Sequence, residues 1–281
     1  MIRTVTVCTD RSPAGLRALK WAASEARRRA LPLQVVTPEP RRRGMRSSVA
    51  DALAAVGAAA PGLPVLGRTT RRPLPESLRR LSAGAATLVV PATLADVTAV
   101  VANSYCPVVA VPASDPTREA EHGPVVLGAA PWTADRVLGL AFQEASDRNA
   151  PLRVVRVWSE PSIDLGWLRP DRATRWDCAE ERARLELEMA LSAWTVIHPD
   201  VPVEMMVVQD HAADFLVTLS YSARLLVLGR SARGVLLSSI AGSPVDVLLR
   251  NAHSPVLVVP SEGPPRTTWL PSRNRARALA N

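Results

Sequence analysis

The sequence predicts an α/β protein of two tandem domains, each a doubly wound, mainly parallel five-stranded sheet. Three observations carry that expectation. Short apolar runs, the length of buried strands, alternate with longer helical patterns along the chain. A polar stretch, Ser114 to Gly123, divides the alternation in two. The pattern then restarts with recognisable copies of itself. EARRRALPLQVV from Glu25 returns as EASDRNAPLRVV from Glu144, an offset of 119 residues. Leu88-Val89-Val90 corresponds to Leu226-Val227-Leu228 at an offset of 138, and CPVVAVP from Cys106 to SPVLVVP from Ser254 at 148. The boundaries predicted are a first domain over 1–113, a linker over 114–123, a second domain over 124–260 and a disordered basic tail over 261–281.

The first half opens with a strand from Ile2 to Cys8 and a turn through Asp10, Ser12 and Pro13. A helix follows, with Leu16, Leu19, Ala22, Ala23 and Ala26 on one face and Arg27, Arg28 and Arg29 near its negative end. Leu33 to Val36 is the second strand, and Arg41-Arg42-Arg43 reads as a solvated loop. A helix over Val49–Ala60, a short strand at Val65-Leu66 and a helix over Leu74–Ser82 come next. Two strands, Thr87–Val90 and Pro107–Val111, close the half with a short helix between them.

The second half repeats this plan with two expansions. The segment around Pro161 to Glu181 is longer than its counterpart, and the charged helix after it, through Glu186 and Glu188 to about Ile197, reads as a solvated face. The other expansion follows the strand Leu225–Leu228. Between Leu228 and Pro255 lie 26 residues, against 16 between Val90 and Pro107. Gly229 ends the strand, Ser231 and Gly234 sit in the loop, and Gly242-Ser243-Pro244 opens a helix, with Ser243 as N-cap and Pro244 at N1. A helix start presents unpaired N–H groups to an anion, and glycine lets that anion approach the backbone. Arg230 and Arg233 add positive charge. The bland alternative is that the glycines only turn the chain. The first half has no glycine in this region and so no phosphate loop.

That segment resembles the nucleotide-binding signature of the universal stress protein family, G-x-x-G-x9-G-[ST]. Gly229 stands for its first glycine, Gly242 for its last and Ser243 for its hydroxyl, while Ala232 replaces the second glycine. The opening D-x-S-P turn also matches, at Asp10 to Pro13. Over the second half Ala130 stands in the aspartate's place and Trp132 in the serine's. The resemblance implies two Rossmann-like sheets of the adenine nucleotide alpha hydrolase-like type, strand order 3-2-1-4-5, with ATP at Gly229, Ser231, Gly242 and Ser243 if it binds. It further implies a non-catalytic regulatory module with unknown protein partners. The final apolar strands of the halves would pair, making an intramolecular pseudo-dimer. The alternative is a scaffold that has lost nucleotide.

Composition limits the rest. The hydrophobic fraction of 47% supports real cores, and aromatics at 4% mean those cores are Ala, Val and Leu. The net charge of +8 is almost wholly arginine, with Lys20 the single lysine. Arginine in place of lysine beside abundant alanine reads as a biased genome, which argues against a nucleic-acid partner. Cys8, Cys106 and Cys178 lie far apart with no metal-ligand spacing, which predicts a reducing compartment. No apolar run approaches the ~18 residues of a membrane span, and no signal segment is read, so a cytoplasmic protein is expected. His122, His198, His211 and His253 lie in no motif that assembles a nucleophile, a base and an oxyanion site. No catalytic residue and no metal ligand is predicted.

Overall fold

The computed structural model describes residues 3–9, 12–39, 48–158, 172–230 and 244–260. In chain order its elements are β1 (Thr4–Cys8), α1 (Pro13–Arg28), β2 (Leu33–Pro38), α2 (Ser48–Ala59), β3 (Val65–Thr70), α3 (Leu74–Ser82), β4 (Ala85–Pro91), α4 (Val97–Asn103) and β5 (Val108–Val111). A short helix α5 (Arg118–His122) leads to β6 (Val125–Ala129), α6 (Asp135–Ser146), β7 (Leu152–Trp158), α7 (Arg172–Ile197), β8 (Val203–Gln209), α8 (Ala212–Leu219), β9 (Leu225–Gly229), α9 (Pro244–Asn251) and β10 (Val256–Val259).

The strands form one ten-stranded sheet in the order β3-β2-β1-β4-β5-β10-β9-β6-β7-β8. Each half has the expected order, third-second-first-fourth-fifth, with parallel pairing throughout. The one antiparallel pair is β5 with β10, in register Val108↔Val258, Val109↔Leu257 and Ala110↔Val256. Ladder bonds across that pair satisfy two strand edges that would otherwise expose unpaired backbone groups.

Two apolar layers cover the sheet, one per face. One holds Ala18, Leu19, Ala22 and Ala26 of α1 with Leu138, Ala141, Phe142 and Ala145 of α6, and reaches Leu187 and Leu191 of α7. The other holds Leu78, Val100, Leu216, Leu248 and Leu249. Phe142 is the one fully buried aromatic among the large core side chains, so packing density comes from many small contacts. Ser12 caps α1 by accepting from the Gly15 N–H at 3.0 Å, and Pro13 opens it. Leu16 departs from the expected buried face: it is 44% exposed.

Several boundaries differ from the sequence reading. β3 extends to Thr70, because parallel pairing with β2 holds six residues, Val65 to Thr70, whatever their exposure. The 114–123 stretch contains α5, whose N-cap Thr117 accepts from the Ala120 N–H at 3.0 Å. Arg17 of α1 fastens its start by bonding Asp115 at 2.7 Å and the Ala113 carbonyl. That hydrogen bond holds the Asp115 carboxyl below the usual carboxylate range. Pro161, Trp167 and the residues of the tail lie outside the described residues.

Candidate functional site

In a doubly wound sheet a ligand crevice opens where the strand order reverses, at the carboxyl ends of the two strands involved. In the second half those strands are β6 and β9, which are neighbours in the sheet. Gly229 ends β9, and it packs so near α6 that an added Cβ would lie 3.1 Å from Val137. Gly128, near the end of β6, has less room: its Cβ would meet Leu228 at 2.6 Å and Leu216 at 3.2 Å. Both glycines thus sit in tight packing against core side chains where the strands end. Of the residues predicted to hold a nucleotide, Gly229 stands at this crevice. Ser231, Gly242 and Ser243 lie outside the described residues, as do Ala232, Arg233 and Asp10. Pro244 begins α9 as expected, and Leu248 and Leu249 bury its inner face.

The turn after β6 closes on itself. The Ala130 N–H donates to Thr133 Oγ1 at 2.7 Å and the Thr133 N–H to the Ala130 carbonyl at 2.9 Å. No carboxylate stands at position 130, and Trp132 is 51% exposed.

Arg230 departs from its predicted role. Its Nη1 donates to the carbonyls of Val101 (2.8 Å), Ala102 (2.6 Å) and Ser104 (3.3 Å), all at the carboxyl end of α4 in the other half. The last turn of α4 has no basic residue of its own. Its unpaired carbonyls and negative dipole end are met by a cation from across the sheet. The guanidinium assigned to an anion by sequence position is thus engaged by backbone oxygens.

The seam between the halves holds a cluster that the sequence reading missed. Glu25 and Glu144 are each 1% exposed. Arg29 bonds both Glu25 and Glu144, and Arg148 bonds Glu144 and, at 3.1 Å, Glu25. Arg28 adds a contact to Glu25. Burial pushes the Arg28 guanidinium down to about 10, with the Arg148 charge acting the same way. Burial also lowers Arg148, opposed by Glu144. The signal was present: the E-x-x-x-R spacing of Glu25–Arg29 is repeated by Glu144–Arg148 at the same offset.

The histidines have separate local surroundings. His198 stacks on Phe142 at 5.6 Å, and His253 on Tyr221 at 3.8 Å. His122 sits on the Arg118 carbonyl. His211 occupies the N-cap position of α8 without capping it through its side chain. Among the described residues no group of three or more His, Cys, Asp or Glu could hold a metal ion, and no helix is long and apolar enough to cross a membrane.

The architecture defines a class, Rossmann-like doubly wound parallel α/β sheets. The profile of the Universal stress protein family matches residues 1–64 and 124–260, and the chain belongs to that family. It is 33% identical over 162 residues to universal stress protein Rv2005c of Mycobacterium tuberculosis, covering 56% of this chain and 52% of that one. A Mycolicibacterium smegmatis universal stress protein is 34% identical over 154 residues, 54% of this chain and 51% of that one. The chain thus spans about half the length of the curated relatives it matches. Among solved structures, the functionally unknown protein PA1789 of Pseudomonas aeruginosa superposes with a TM-score of 0.62 at 19% identity, covering 92% of both chains. A universal stress protein of Archaeoglobus fulgidus gives 0.58 at 15%, covering 91% of this chain and 96% of its own. These two support the fold.

Proposed function

We propose that this chain is a non-catalytic regulatory module of the stress response, working in the cytoplasm as two tandem domains, 1–113 and 124–260, that form an intramolecular pseudo-dimer. The antiparallel β5–β10 pair supports that arrangement. In this reading one adenine nucleotide, ATP, binds in the second half alone, and regulatory protein partners read the result. The observation that supports it is the placement of Gly229 at the carboxyl end of β9, beside β6 where the strand order reverses, with α9 beginning beyond the loop. At the matching place in the first half β4 runs through Pro91 and a short turn directly into α4, with the Leu94 N–H on the Pro91 carbonyl and the Val97 N–H on the Leu94 carbonyl.

Calorimetric titration of ATP and magnesium into the full chain tests this. One site per chain is expected, lost in Gly242→Leu, where a side chain would stand in the path of phosphate. A folded variant with unchanged affinity moves the site elsewhere. One observation favours a second reading, a nucleotide-free scaffold: Arg230, at the start of the loop, is engaged by α4 carbonyls. No heat with ATP for the wild type selects that reading.

A further inference from the structure

We propose that a cleft between the two halves, beside the β6–β9 crevice but with its own lining, is a second binding site, for a small dianion with an aromatic body. The cleft measures about 670 Å³ and is walled by Arg3, Arg29 and Pro107 of the first half and by Arg136, Trp194 and His198 of the second. That volume is in the range of small-molecule sites, ~300–1,000 Å³. Both halves contribute, so neither half makes the site alone.

The charge of the cleft is unbalanced. Arg29 is neutralised within the glutamate–arginine cluster. Arg3 and Arg136 are exposed and, among the described residues, make no hydrogen bond or ion pair. One acid lines the cleft, Asp147, just past the carboxyl end of α6, whereas Arg136 is in its first turn. Eleven helical rises separate them, roughly 16 Å at 1.5 Å each. Two arginines without an ion-pair partner among the described residues therefore line one cavity, and its one lining acid lies at the far end of α6 from Arg136. A bound dianion would offer its oxygens to their planar donor forks.

The other wall is aromatic. Trp194, His198 and Phe142 stack in near-parallel planes, with centroids 5.6–6.5 Å apart and interplanar angles of 19–22°. Phe142 is fully buried, and Trp194 and His198 are partly exposed, so ring surface remains available. Gly139 permits the arrangement, since any Cβ there would run into the Trp194 ring. Ring surface opposite paired cations suits an aromatic phosphate monoester, which carries roughly −1.5 to −2 charges at pH 7.

The test is calorimetric titration of 1-naphthyl phosphate into the full chain at low salt and pH 7.5. One site with a dissociation constant below about 1 mM is expected. The Arg3→Glu/Arg136→Glu double variant should bind at least tenfold more weakly with an unchanged melting temperature, because both side chains are exposed. Trp194→Ala should also weaken binding, and 1-naphthol or inorganic phosphate alone should each bind at least tenfold more weakly. Equal affinity in the double variant overturns the proposal, as does equal affinity for inorganic phosphate. Binding that is lost in Gly242→Leu, or displaced by ATP, assigns the ligand to the β6–β9 crevice and also overturns it. Failure of ATP to bind leaves this site untouched, so the two readings fail separately.

Discussion

At the seam, α1 and α6 present the same groups to each other. Glu25 and Arg29 on one helix face Glu144 and Arg148 on the other, and both helices end in the same turn, with Ala30 and Asn149 at φ of 51° and 48°. At the carboxyl ends of β4 and β9 the halves differ. Pro91 and Ala92 lead at once to α4, whereas Gly229 and Arg230 lead to a longer loop before α9. Arg230 has Ala92 as its counterpart: the Ala92 N–H bonds the Val111 carbonyl at 2.8 Å, and the Arg230 N–H the Val259 carbonyl at 2.7 Å. The backbone is shared, and the side chain is new. A seam between two copies must suit both copies together, so it keeps its symmetry. The carboxyl ends of β4 and β9 are not held to each other's geometry in this way, and there the connections to the next helix differ.

The seam is the place to break that comparison with the largest effect. Glu144→Ala leaves Arg148 and Arg29 short of a carboxylate in a buried setting. Removing one partner of a buried ion pair costs about 3–5 kcal/mol. Urea denaturation should show a loss of that size, with Glu25→Ala nearly as costly. If the seam is symmetric in energy as well as geometry, the two losses agree within about 1 kcal/mol. A loss under about 1 kcal/mol for either would mean that water replaces the carboxylate.

The asymmetric end should give a smaller effect. Arg230→Ala removes a charged donor from three carbonyls of α4, and hydrogen bonds to charged groups contribute roughly 1.5–3 kcal/mol. Urea denaturation should register a loss of about 2 kcal/mol, partly restored in Arg230→Lys, whose single ammonium cannot span the carbonyls as the guanidinium does. No loss would show that α4 does not depend on the second half. Weaker ATP binding with unchanged stability would return Arg230 to the loop.

Much of this was legible in the sequence, for physical reasons that differ by element. Strands buried in a parallel sheet are apolar on both faces, so Leu88–Val90 and Leu226–Leu228 announced themselves as the strands β4 and β9. The span of α3, Leu74 to Ser82, agrees at both ends because Pro73 and Pro75 punctuate its start. Arg230 was not legible. Its neighbours in sequence suggested an anion, and its partners are backbone carbonyls 126 to 129 residues away, which carry no side-chain signature. The glutamates of the seam were hidden differently. An i,i+4 Glu–Arg pair usually marks a solvated helix face, and only the fold shows that two such faces meet and exclude water.

The crevice comparison is sharpened by Ala130→Asp, which restores a carboxylate to the turn after β6. A well-placed charged acceptor should tighten ATP binding by about tenfold, some 1.4 kcal/mol. The existing Thr133–Ala130 bonds can persist, since both backbone partners are unchanged. Titration at matched salt and magnesium checks it. Weaker binding by the variant would show that repulsion from phosphate outweighs the new acceptor.

A smaller difference lies where CPVVAVP and SPVLVVP correspond. Cys106 is buried, and burial pushes its thiol up to about 12, so it stays neutral and behaves as an apolar group. Ser254 takes the same place in the second half, 1% exposed, and its hydroxyl has no hydrogen-bond partner among the described residues. A buried hydroxyl without a partner costs roughly 1–3 kcal/mol. Ser254→Cys, copying the first half, should therefore stabilise by about 1 kcal/mol in urea, after the larger sulfur takes back part of the gain. The native-state thiol should resist alkylation at pH 8, as should Cys106. Destabilisation would show that the second half is packed more tightly here than its copy.

The smallest effect concerns the turn the halves share. After α1, the Leu31 N–H bonds the Ala26 carbonyl at 2.9 Å, and after α6 the Ala150 N–H bonds the Ala145 carbonyl at 3.0 Å. Both turns place one residue in the left-handed region, Ala30 in the first and Asn149 in the second. Asparagine tolerates that conformation, and alanine is strained in it by roughly 1–2 kcal/mol. The first half thus carries a cost that its copy avoids. Ala30→Asn should recover part of it, about 0.5–1 kcal/mol, and Ala30→Gly a similar amount, since glycine relieves the strain fully but gains entropy when unfolded. Asn149→Ala should lose what Ala30→Asn gains. Thermal melts of the three variants decide whether the turns are equivalent. Opposite signs of equal size would show that they are. A loss on Ala30→Asn would mean that the added amide disturbs the neighbouring Arg29, and through it the Glu25–Glu144 cluster that joins the halves.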